Sequence, residues 1–345
     1  MSRPTIDDVA ALAGVARASV SRVLNNQPNV REELRDKVLR AVDMLGYRVN
    51  MQARQLAGRK TLRIGLVHAS DFDSEPNSYF TSALELGATR AAARLGAQLQ
   101  THVVNLNDRN VVATIVGLLR DDQCDGAILT PPFADNLDLL RALGEAGIRI
   151  VCIAAGPQSR EFADTLGIDD RQAGYDIGLH LAGLGHRRFG FVKGLQEHLS
   201  AESRFDGFLA ALVDSGLDET AVCWERGNFT FRSGLDCAQR LLAGEGGVTA
   251  LVCANDDMAA GALLAAHKAG LRIPQDVAIT GCDDTPVSEI VWPPLTTVHQ
   301  PLRRMGARAV EWLAGPEPAE GGETPVRNEV VAHQLVVRDS SRIEL

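Results

Sequence analysis

Polar and basic side chains cluster in one short stretch near the start of the chain. The segment RASVSRVLN contains Arg17, Ser19, Ser21, Arg22 and Asn25. Arginine forms paired hydrogen bonds with guanine edges, and hydroxyl and amide groups bind phosphate oxygens. This set therefore predicts contact with a nucleic acid.

Two short helices are predicted to position these side chains. In TIDDVAALAGVARASVSRVLN, apolar residues recur at helical spacing on both sides of Gly14. Thr5 precedes Asp8 by three residues and is predicted to cap the first helix, while Asp7 and Asp8 place negative charge at its positive end. Such a pair is typical of the helix-turn-helix unit, whose second helix enters the DNA major groove. The alternative is a surface helical hairpin that binds nothing.

A third helix and a linker follow. The segment VREELRDKVLRAVDMLGY has helical apolar spacing up to Gly46 and predicts a helix that closes a small core. Tyr47 then either contacts phosphate or completes that core. The polar segment NMQARQLAGRKT is too short to be helical on its own. Its Leu56 is either a wedge between DNA base steps or part of a flexible tether.

Charge is distributed unevenly along the chain. Residues 1–60 carry 11 Lys or Arg and 6 Asp or Glu, whereas the whole chain has a formal net charge of −9. The first 60 residues are therefore basic, at +5, and the rest is acidic, at −14. This asymmetry predicts that the N-terminal part alone meets a polyanion.

Length and residue usage limit the class of protein. A chain of 345 residues with 45% hydrophobic residues predicts two or three domains with substantial cores. Charged residues interrupt the N-terminus, and no apolar run reaches a membrane-spanning length, which predicts a cytoplasmic protein with no membrane partner. The six cysteines are scattered singly and are predicted to be reduced thiols rather than disulfides or metal ligands.

From Leu62 onward, strand and helix patterns alternate. Repeated βα units predict parallel sheets covered on both faces. The series occurs twice, which predicts two similar lobes with a small-molecule cleft at the carboxyl ends of their strands. The predicted strands are LRIGLVHA, AQLQTHVVNL, CDGAILTP, RIVCIAA, RRFGFVKG, AVCWERG, TALVCAND and VAITGCDD, with one more in the C-terminal EVVAHQLVVRDSSRIEL.

Seven motifs carry a family resemblance over essentially the whole chain. They are IDDVAALAGVARASVSRVLN, VREELRDKVLRAVDMLGY, ARQLAG, LGHRRFGFV, ESRFDGF, ALVCANDDMAAGAL and ITGCDDTPVSEIVWPPLTTVHQP. With them the chain resembles the lactose-repressor/galactose-repressor (LacI/GalR) family. The resemblance implies an all-α helix-turn-helix head with a hinge helix, and an α/β two-lobe body of periplasmic-binding-protein type with parallel sheets.

The resemblance also implies domain boundaries. The DNA-binding head is predicted at 1–48, the hinge helix or linker at 49–60, and the effector-binding and dimerisation core at 61–345. Within the core, the N-lobe is predicted at about 61–168 and 301–330, and the C-lobe at about 169–300 and 331–340.

In this family, two hinge helices from a dimer insert a leucine pair at the centre of the operator, and Leu56 stands at that position. Arg17 and Ala18 begin the recognition helix, where the resemblance implies base reading, by Arg17 to guanine and by Ala18 to a thymine methyl. The complete set of predicted DNA contacts is Thr5, Arg17, Ala18, Ser19, Ser21, Arg22, Asn25, Asn29, Tyr47, Asn50, Gln52, Ala53 and Leu56.

A second set of residues is implied for the effector cleft. Guanidinium, amide and carboxylate groups bridge the paired hydroxyls of a saccharide, and an aromatic ring lies on its apolar face. Alternatives are that Arg204 and Asp283 pair only with each other, that Phe229 is an ordinary core ring, and that Asp169 is a helix cap. The predicted effector contacts are Phe80, Asp169, Arg204, Phe229, Asn255, Asp283 and Gln300.

The implied function is a sequence-specific transcriptional regulator, a repressor controlled by a small ligand, a sugar or sugar derivative. The family's tetramer-forming apolar heptads are absent from the C-terminus. The partners predicted are therefore near-palindromic double-stranded operator DNA, a saccharide effector and a second copy of the chain. No catalytic residue, metal or cofactor is predicted.

Within the regulator class, a ligand-responsive activator is the alternative. Two alternatives belong to other classes: a sugar-binding protein that does not bind DNA, and a sugar-processing enzyme. No metalloprotease, P-loop or nucleophile-elbow motif supports the enzyme. Asp71, Asp73 and Glu75 in the loop after the first strand argue against purine or phosphorylated ligands, unless this loop is solvated outside the cleft.

Overall fold

The computed structural model describes residues 4–24, 30–45, 61–70, 78–244, 247–315 and 326–342. The chain divides into two compact units, Met1–Thr61 and Leu62–Leu345. No helix within the described ranges has both the length and the apolar character needed to cross a membrane.

Three helices form the described part of the first unit: α1 Ile6–Ala13, α2 Arg17–Leu24 and α3 Glu32–Leu45. The predicted cap of α1 is confirmed, because the Asp8 N–H donates to the Thr5 hydroxyl at 3.3 Å and the Thr5 N–H donates to the Asp8 carboxylate at 2.8 Å. Helix α1 ends at Gly14 with a left-handed φ of 64°, a conformation that favours glycine. The three helices bury one small core: Val9, Ala10, Val20, Val23, Val38 and Ala41.

The described part of the second unit contains twelve strands. They are β1 Arg63–Ser70, β2 Gln98–Asn105, β3 Gly126–Leu129, β4 Arg149–Ile153, β5 Asp164–Gly167, β6 Phe189–Lys193, β7 Val222–Arg226, β8 Ala250–Cys253, β9 Ala278–Thr280, β10 Thr297–His299, β11 Asn328–Val330 and β12 Gln334–Val336.

Two parallel sheets confirm the predicted two-lobe α/β architecture. The first lobe has six strands in the order β11-β5-β4-β3-β1-β2, and the second has four in the order β7-β6-β8-β9. Every neighbouring pair in both sheets is parallel. Strands β10 and β12 form a separate antiparallel pair.

Helices cover both sheets, as parallel strands require. In chain order they are α4 Ser78–Leu95, α5 Val111–Asp121, α6 Leu137–Glu145, α7 Asp170–Gly183, α8 Leu199–Asp214, α9 Phe231–Ala243, α10 Asp256–Lys268, α11 Val287–Ile290 and α12 Leu302–Ala314.

Three helix pairs, α4 with α12, α7 with α8 and α9 with α10, pack closely through glycines on both partners. A Cβ added to Gly174 of α7 would lie 1.9 Å from the carbonyl oxygen of Arg204 in α8, and one added to Gly87 of α4 would lie 1.9 Å from that of Arg303 in α12. At such separations no larger residue fits without moving the backbone. The glycines at these three contacts are Gly87, Gly174, Gly178, Gly207, Gly234, Gly261 and Gly306.

The chain passes between the lobes several times. After β10, helix α12 returns to pack on β3, β4 and β5 of the first sheet, and β11 then extends that sheet beside β5. The chain next pairs β12 with β10. These crossings bring segments from distant parts of the sequence to the space between the two lobes.

The structure contains elements that were not predicted. Strand β10 and helices α11 and α12 were not predicted, and the single strand expected at the C-terminus is two strands, β11 and β12. These three strands have three residues each, too few for a period-two pattern to be recognised. All six cysteines are free thiols, and all but Cys223 are buried.

Candidate functional site

Helix α2 presents the predicted DNA-reading side chains on its outer face. Arg17, Ala18 and Arg22 are exposed, and Ser19 and Ser21 are half-buried. Val20 and Val23 on the opposite face are buried in the core of the helical unit. The local amphipathic pattern therefore leaves the basic and hydroxyl groups accessible to a duplex.

Arg17 has an intramolecular partner that sequence reasoning missed. Its Nε lies 3.7 Å from an Asp7 carboxylate oxygen, and both side chains are about two-thirds exposed. Exposed ion pairs of this kind stabilise a protein by roughly 0–1 kcal/mol. A guanine edge or a phosphate can therefore displace Asp7 from Arg17 at small cost.

Seven predicted DNA contacts lie outside the described residues: Asn25, Asn29, Tyr47, Asn50, Gln52, Ala53 and Leu56. The acidic residues Asp71, Asp73 and Glu75 do so as well. The roles of these residues therefore stay predictions.

A cavity of about 720 Å³ lies between the two lobes of the second unit. Its walls come from the end of β1, from segments that follow β1, β2, β3 and β4 of the first sheet and β6, β7, β8 and β9 of the second, and from the segment after β10. Ligand sites of α/β proteins form at such carboxyl ends, and their volumes are typically about 300–1,000 Å³. Six predicted effector contacts line the cavity: Phe80, Arg204, Phe229, Asn255, Asp283 and Gln300.

Asp169 is the predicted effector contact that the cavity lining does not include. Its Oδ1 accepts the N–H of Gln172 at 2.9 Å and caps α7. The cap alternative therefore describes the contact seen for this side chain.

Arg204 is buried on α8 and pairs with Asp170, the first residue of α7, rather than with Asp283 as the alternative had it. Both side chains are at most about one-tenth exposed. Burial raises the pKa of Asp170 to about 6, even though Arg204 acts in the opposite direction. The Arg204 Nε has no hydrogen-bond partner within the described protein and belongs to a cavity-lining residue.

Asp283 follows β9 in an unusual backbone conformation, with φ of 117°. Its Oδ1 accepts a hydrogen bond of 2.8 Å from Nε2 of Gln300, which lies on the segment after β10. Burial and the nearby Asp256 carboxyl raise the pKa of Asp283 well above its usual value. The pair thus joins two crossing segments at the wall of the cavity.

Asp256 is a buried residue behind the cavity lining, and it holds the loop that carries Asp283. The Thr297 hydroxyl donates to its Oδ1 at 2.6 Å, and the Thr285 N–H donates to its Oδ2 at 2.8 Å. Burial raises the pKa of Asp256 to about 7. Its hydrogen bonds fix the loop after β9 to strand β10, and the loop carries Asp283.

Phe229 has a strained backbone, and its ring packs tightly against Gly194. Its φ is 67°, a left-handed conformation that costs a non-glycine residue about 1–3 kcal/mol. Its carbonyl oxygen accepts Nδ2 of Asn255 at 2.9 Å, and a Cβ on Gly194 would lie only 2.0 Å from its ring. Strained residues of this kind cluster at functional sites, and Ala154 and Asp283 of the same cavity also have positive φ.

Asn255 lines the cavity and makes two hydrogen bonds within the protein. Its Oδ1 accepts the Met258 N–H at 3.0 Å and caps α10, while its Nδ2 holds the carbonyl of Phe229. Both polar ends of the amide are therefore engaged with the protein. Asn255 therefore helps to position Phe229, and its contact with a ligand stays a prediction.

Asp135 and His198 are cavity residues that sequence reasoning missed. Asp135 lies in a short 3₁₀ turn, Phe133–Asp135, and His198 immediately precedes α8. The centroid of the His198 ring lies 4.7 Å from the centroid of the Phe229 ring. Neither residue belongs to a recognisable motif, so position after a strand was the only available signal.

Replacing His198 by glutamine is expected to reduce acid sensitivity. Burial, with a smaller contribution from Arg204, lowers the pKa of His198 to about 3, whereas an unfolded histidine titrates near 6.5. Between these values the unfolded chain binds a proton that the folded chain does not, so acid favours unfolding. When the pH falls from 7 to 5, the free energy of unfolding measured with urea should decrease by about 2 kcal/mol more for the unmodified protein than for the variant.

The matched control is His267→Gln at an exposed histidine of α10. It should leave the difference between pH 7 and pH 5 as in the unmodified protein. Parallel pH dependence in His198→Gln and the unmodified protein would show that His198 is not buried as a neutral ring.

A helix-turn-helix unit in one chain with a two-lobe, ligand-sized cavity defines the class of DNA-binding transcriptional regulators with an effector domain. Residues 5–50 match the family described as bacterial regulatory proteins, lacI family, and residues 179–341 match the periplasmic binding protein-like domain. The chain belongs to the LacI family of transcriptional regulators.

Relatives match over nearly the whole chain. The regulator CelR of Thermobifida fusca is 34% identical, with 98% of each chain covered, and the probable repressor ExuR of Bacillus subtilis is 28% identical with the same coverage. A CelR–cellobiose complex superposes with a TM-score of 0.70 at 32% identity, covering 98% of this chain and 100% of the other. A lac repressor dimer bound to operator and the anti-inducer ONPF has a TM-score of 0.72 at 27% identity and 99% coverage of both chains.

Proposed function

We propose that this protein is a homodimeric repressor of a near-palindromic operator, and that a saccharide in the interlobe cavity controls its operator affinity. The observation that carries the proposal is the cavity itself. It lies in the same chain as an accessible recognition helix and combines buried polar groups with aromatic rings.

The cavity chemistry suits a saccharide. The Arg204 Nε is a donor and the Gln300 Oε1 an acceptor, and neither has a partner within the described protein. The rings of Phe80 and Phe229 line the same space and provide surfaces for the apolar faces of sugar rings. The cellobiose complex of CelR supports this ligand class.

Operator binding is proposed to use α2 and the hinge. Arg17 and Ala18 read bases, Ser19, Ser21 and Asn25 contact phosphates, and Leu56 inserts between base steps. The lac repressor dimer on its operator supports a dimer with two half-sites. Half-sites are expected about 10 base pairs apart.

The switch is proposed to act through the relative position of the lobes. Residues of both lobes line the cavity, among them Asp135 of the first and Arg204 of the second, so a ligand that fills it contacts both lobes. A saccharide shifts the balance between operator-binding and non-binding arrangements only by its differential affinity for them. We propose that the ligand is bound without turnover and that the protein acts in the cytoplasm, in keeping with the regulator names of its relatives.

The proposal is tested by selecting duplexes from a random DNA library and then measuring operator affinity with cellobiose, other neutral disaccharides and simple hexoses. The expected duplex is a near-palindrome. An effective saccharide should change operator affinity about 5- to 150-fold, the range of ordinary allosteric coupling.

The matched control is Arg17→Ala, which should weaken operator binding while leaving the saccharide-induced rise in melting temperature unchanged, because Arg17 lies in the other unit. Selection of no preferred duplex would contradict operator recognition. An operator affinity that no saccharide changes would contradict saccharide control.

A further inference from the structure

The cavity concentrates buried polar atoms that the protein itself does not satisfy. Within the described residues, such atoms on cavity-lining side chains are Asp135 Oδ2, His198 Nε2, Arg204 Nε and Gln300 Oε1. Buried polar groups are nearly always hydrogen-bonded in folded proteins. These four atoms are therefore the polar groups of the described lining with which a ligand can pair in place of water.

The donors and acceptors among these four atoms match the hydrogen-bonding capacity of hydroxyl groups. Arg204 Nε can only donate, whereas the oxygens of Gln300 and ionised Asp135 can only accept, and the ring nitrogen of His198 takes either role according to its tautomer. A hydroxyl both donates and accepts, so a polyol satisfies the whole set. An ammonium group cannot accept from Arg204, and a carboxylate cannot donate to Asp135.

The charge of the cavity wall opposes anions. Among the described lining residues, the one permanent cation is Arg204, and it is already paired with Asp170. Asp135 and Glu197 supply two carboxyl groups to the same lining, and Asp283, whose pKa is raised well above its usual value, supplies a third. The lowered pKa of His198, about 3, keeps its ring neutral at physiological pH. An anionic ligand therefore finds no unpaired cation in this part of the wall.

Asp135 is the carboxyl group held most firmly toward the ligand. Its Oδ1 accepts the Gly156 N–H at 2.6 Å and the Ser159 hydroxyl at 3.3 Å. These bonds hold one oxygen and leave Oδ2 without a partner in the described protein. Burial raises the pKa of Asp135, while the hydrogen bonds from Gly156 and Ser159 act in the opposite direction.

We propose that this cavity is selective for uncharged, hydroxyl-rich saccharides and rejects sugar acids and sugar phosphates, with Asp135 as the residue that imposes the rejection. The inference rests on the proposed function, that a saccharide is the effector. Arg204 and Gln300 bind the hydroxyls of the accepted ligand, and Asp135 accepts a hydrogen bond from a hydroxyl, which an ionised acid group at the same place cannot donate.

The experiment uses the full-length protein and probes that differ in charge but little in shape. Calorimetric titration at pH 7 compares the neutral sugars cellobiose, glucose and galactose. It also compares two matched pairs, glucuronic acid with glucuronamide and galacturonic acid with galacturonamide. Glucose 6-phosphate is the phosphorylated counterpart of glucose. The expected result is binding of at least one neutral probe, with its acid or phosphorylated counterpart at least 100-fold weaker.

Asp135→Asn tests the assignment of the rejection. The amide keeps an oxygen for the Gly156 N–H but removes the charge, so the ratio of neutral to acid affinity should fall at least tenfold. A merely structural role would lower both affinities together and leave the ratio unchanged. The matched control, Glu145→Gln at the exposed end of α6, should leave the ratio as in the unmodified protein.

Three results would overturn the inference. An acid or phosphorylated probe that binds within tenfold of its neutral counterpart contradicts the selectivity, although saccharide control of the operator stands. An unchanged affinity ratio in Asp135→Asn contradicts the role of Asp135. Binding of none of these saccharides removes the proposed effector class and this inference with it.

Discussion

Replacing Arg204 by methionine is expected to lower the free energy of unfolding by about 3–5 kcal/mol and to weaken saccharide binding at least 100-fold. Asp170 is one-tenth exposed and would remain without its partner, and removing one member of a buried ion pair typically costs this much. The cavity would also lose the donor at Arg204 Nε. Urea unfolding measures the first effect and calorimetric titration the second.

The matched control is the double variant Asp170→Asn with Arg204→Met. Because it removes both charges, it should recover most of the lost stability, since a neutral pair leaves no buried, unpaired charge. Saccharide binding should not recover, because the guanidinium is still missing. Equal stability of the single and double variants would show that the Arg204–Asp170 pair is not coupled in the folded protein.

Alanine at Gly174 is expected to destabilise the protein by about 3 kcal/mol, at the upper end of ordinary overpacking. The added Cβ would lie 1.9 Å from the Arg204 carbonyl oxygen, so α7 and α8 must separate. Saccharide affinity should fall as well, because this contact sets the position of the Arg204 backbone. Urea unfolding and calorimetric titration of the same preparation measure both effects.

Gly183→Ala, at the end of the same helix, is the matched control. Nothing lies within 4 Å of a Cβ built there, so alanine should be neutral or stabilise by roughly 0.5–1 kcal/mol through helix propensity. Similar unfolding midpoints for the two alanine variants would contradict the close packing of α7 on α8.

These two predictions concern one structural unit. Asp170 begins α7 and Arg204 lies on α8, while Gly174 and Gly207 let the two helix backbones meet. Helix packing in the second lobe therefore places both the guanidinium and its carboxylate partner. Ligand affinity and lobe stability are expected to change together when this contact is altered.

The sequence by itself determined the local elements and the class of the protein. The cap at Thr5, the glycine turn at Gly14 and the apolar spacing of α1 and α2 act within a few residues of each other. The repeated βα pattern likewise indicates two parallel sheets, because continuous apolar strands alternate with amphipathic helices. Six of the seven predicted effector contacts were found at one cavity because carboxyl ends of parallel strands converge.

The tertiary structure alone decided which groups meet inside that cavity. Arg204 pairs with Asp170 rather than Asp283. The Asn255 amide forms hydrogen bonds with the Phe229 carbonyl and with the Met258 N–H at the start of α10. Asp135 and His198 come from segments without a motif and reach the cavity through the lobe arrangement. Such partners are far apart in the chain, and the energies that choose between them depend on burial and distance, which residue spacing does not contain.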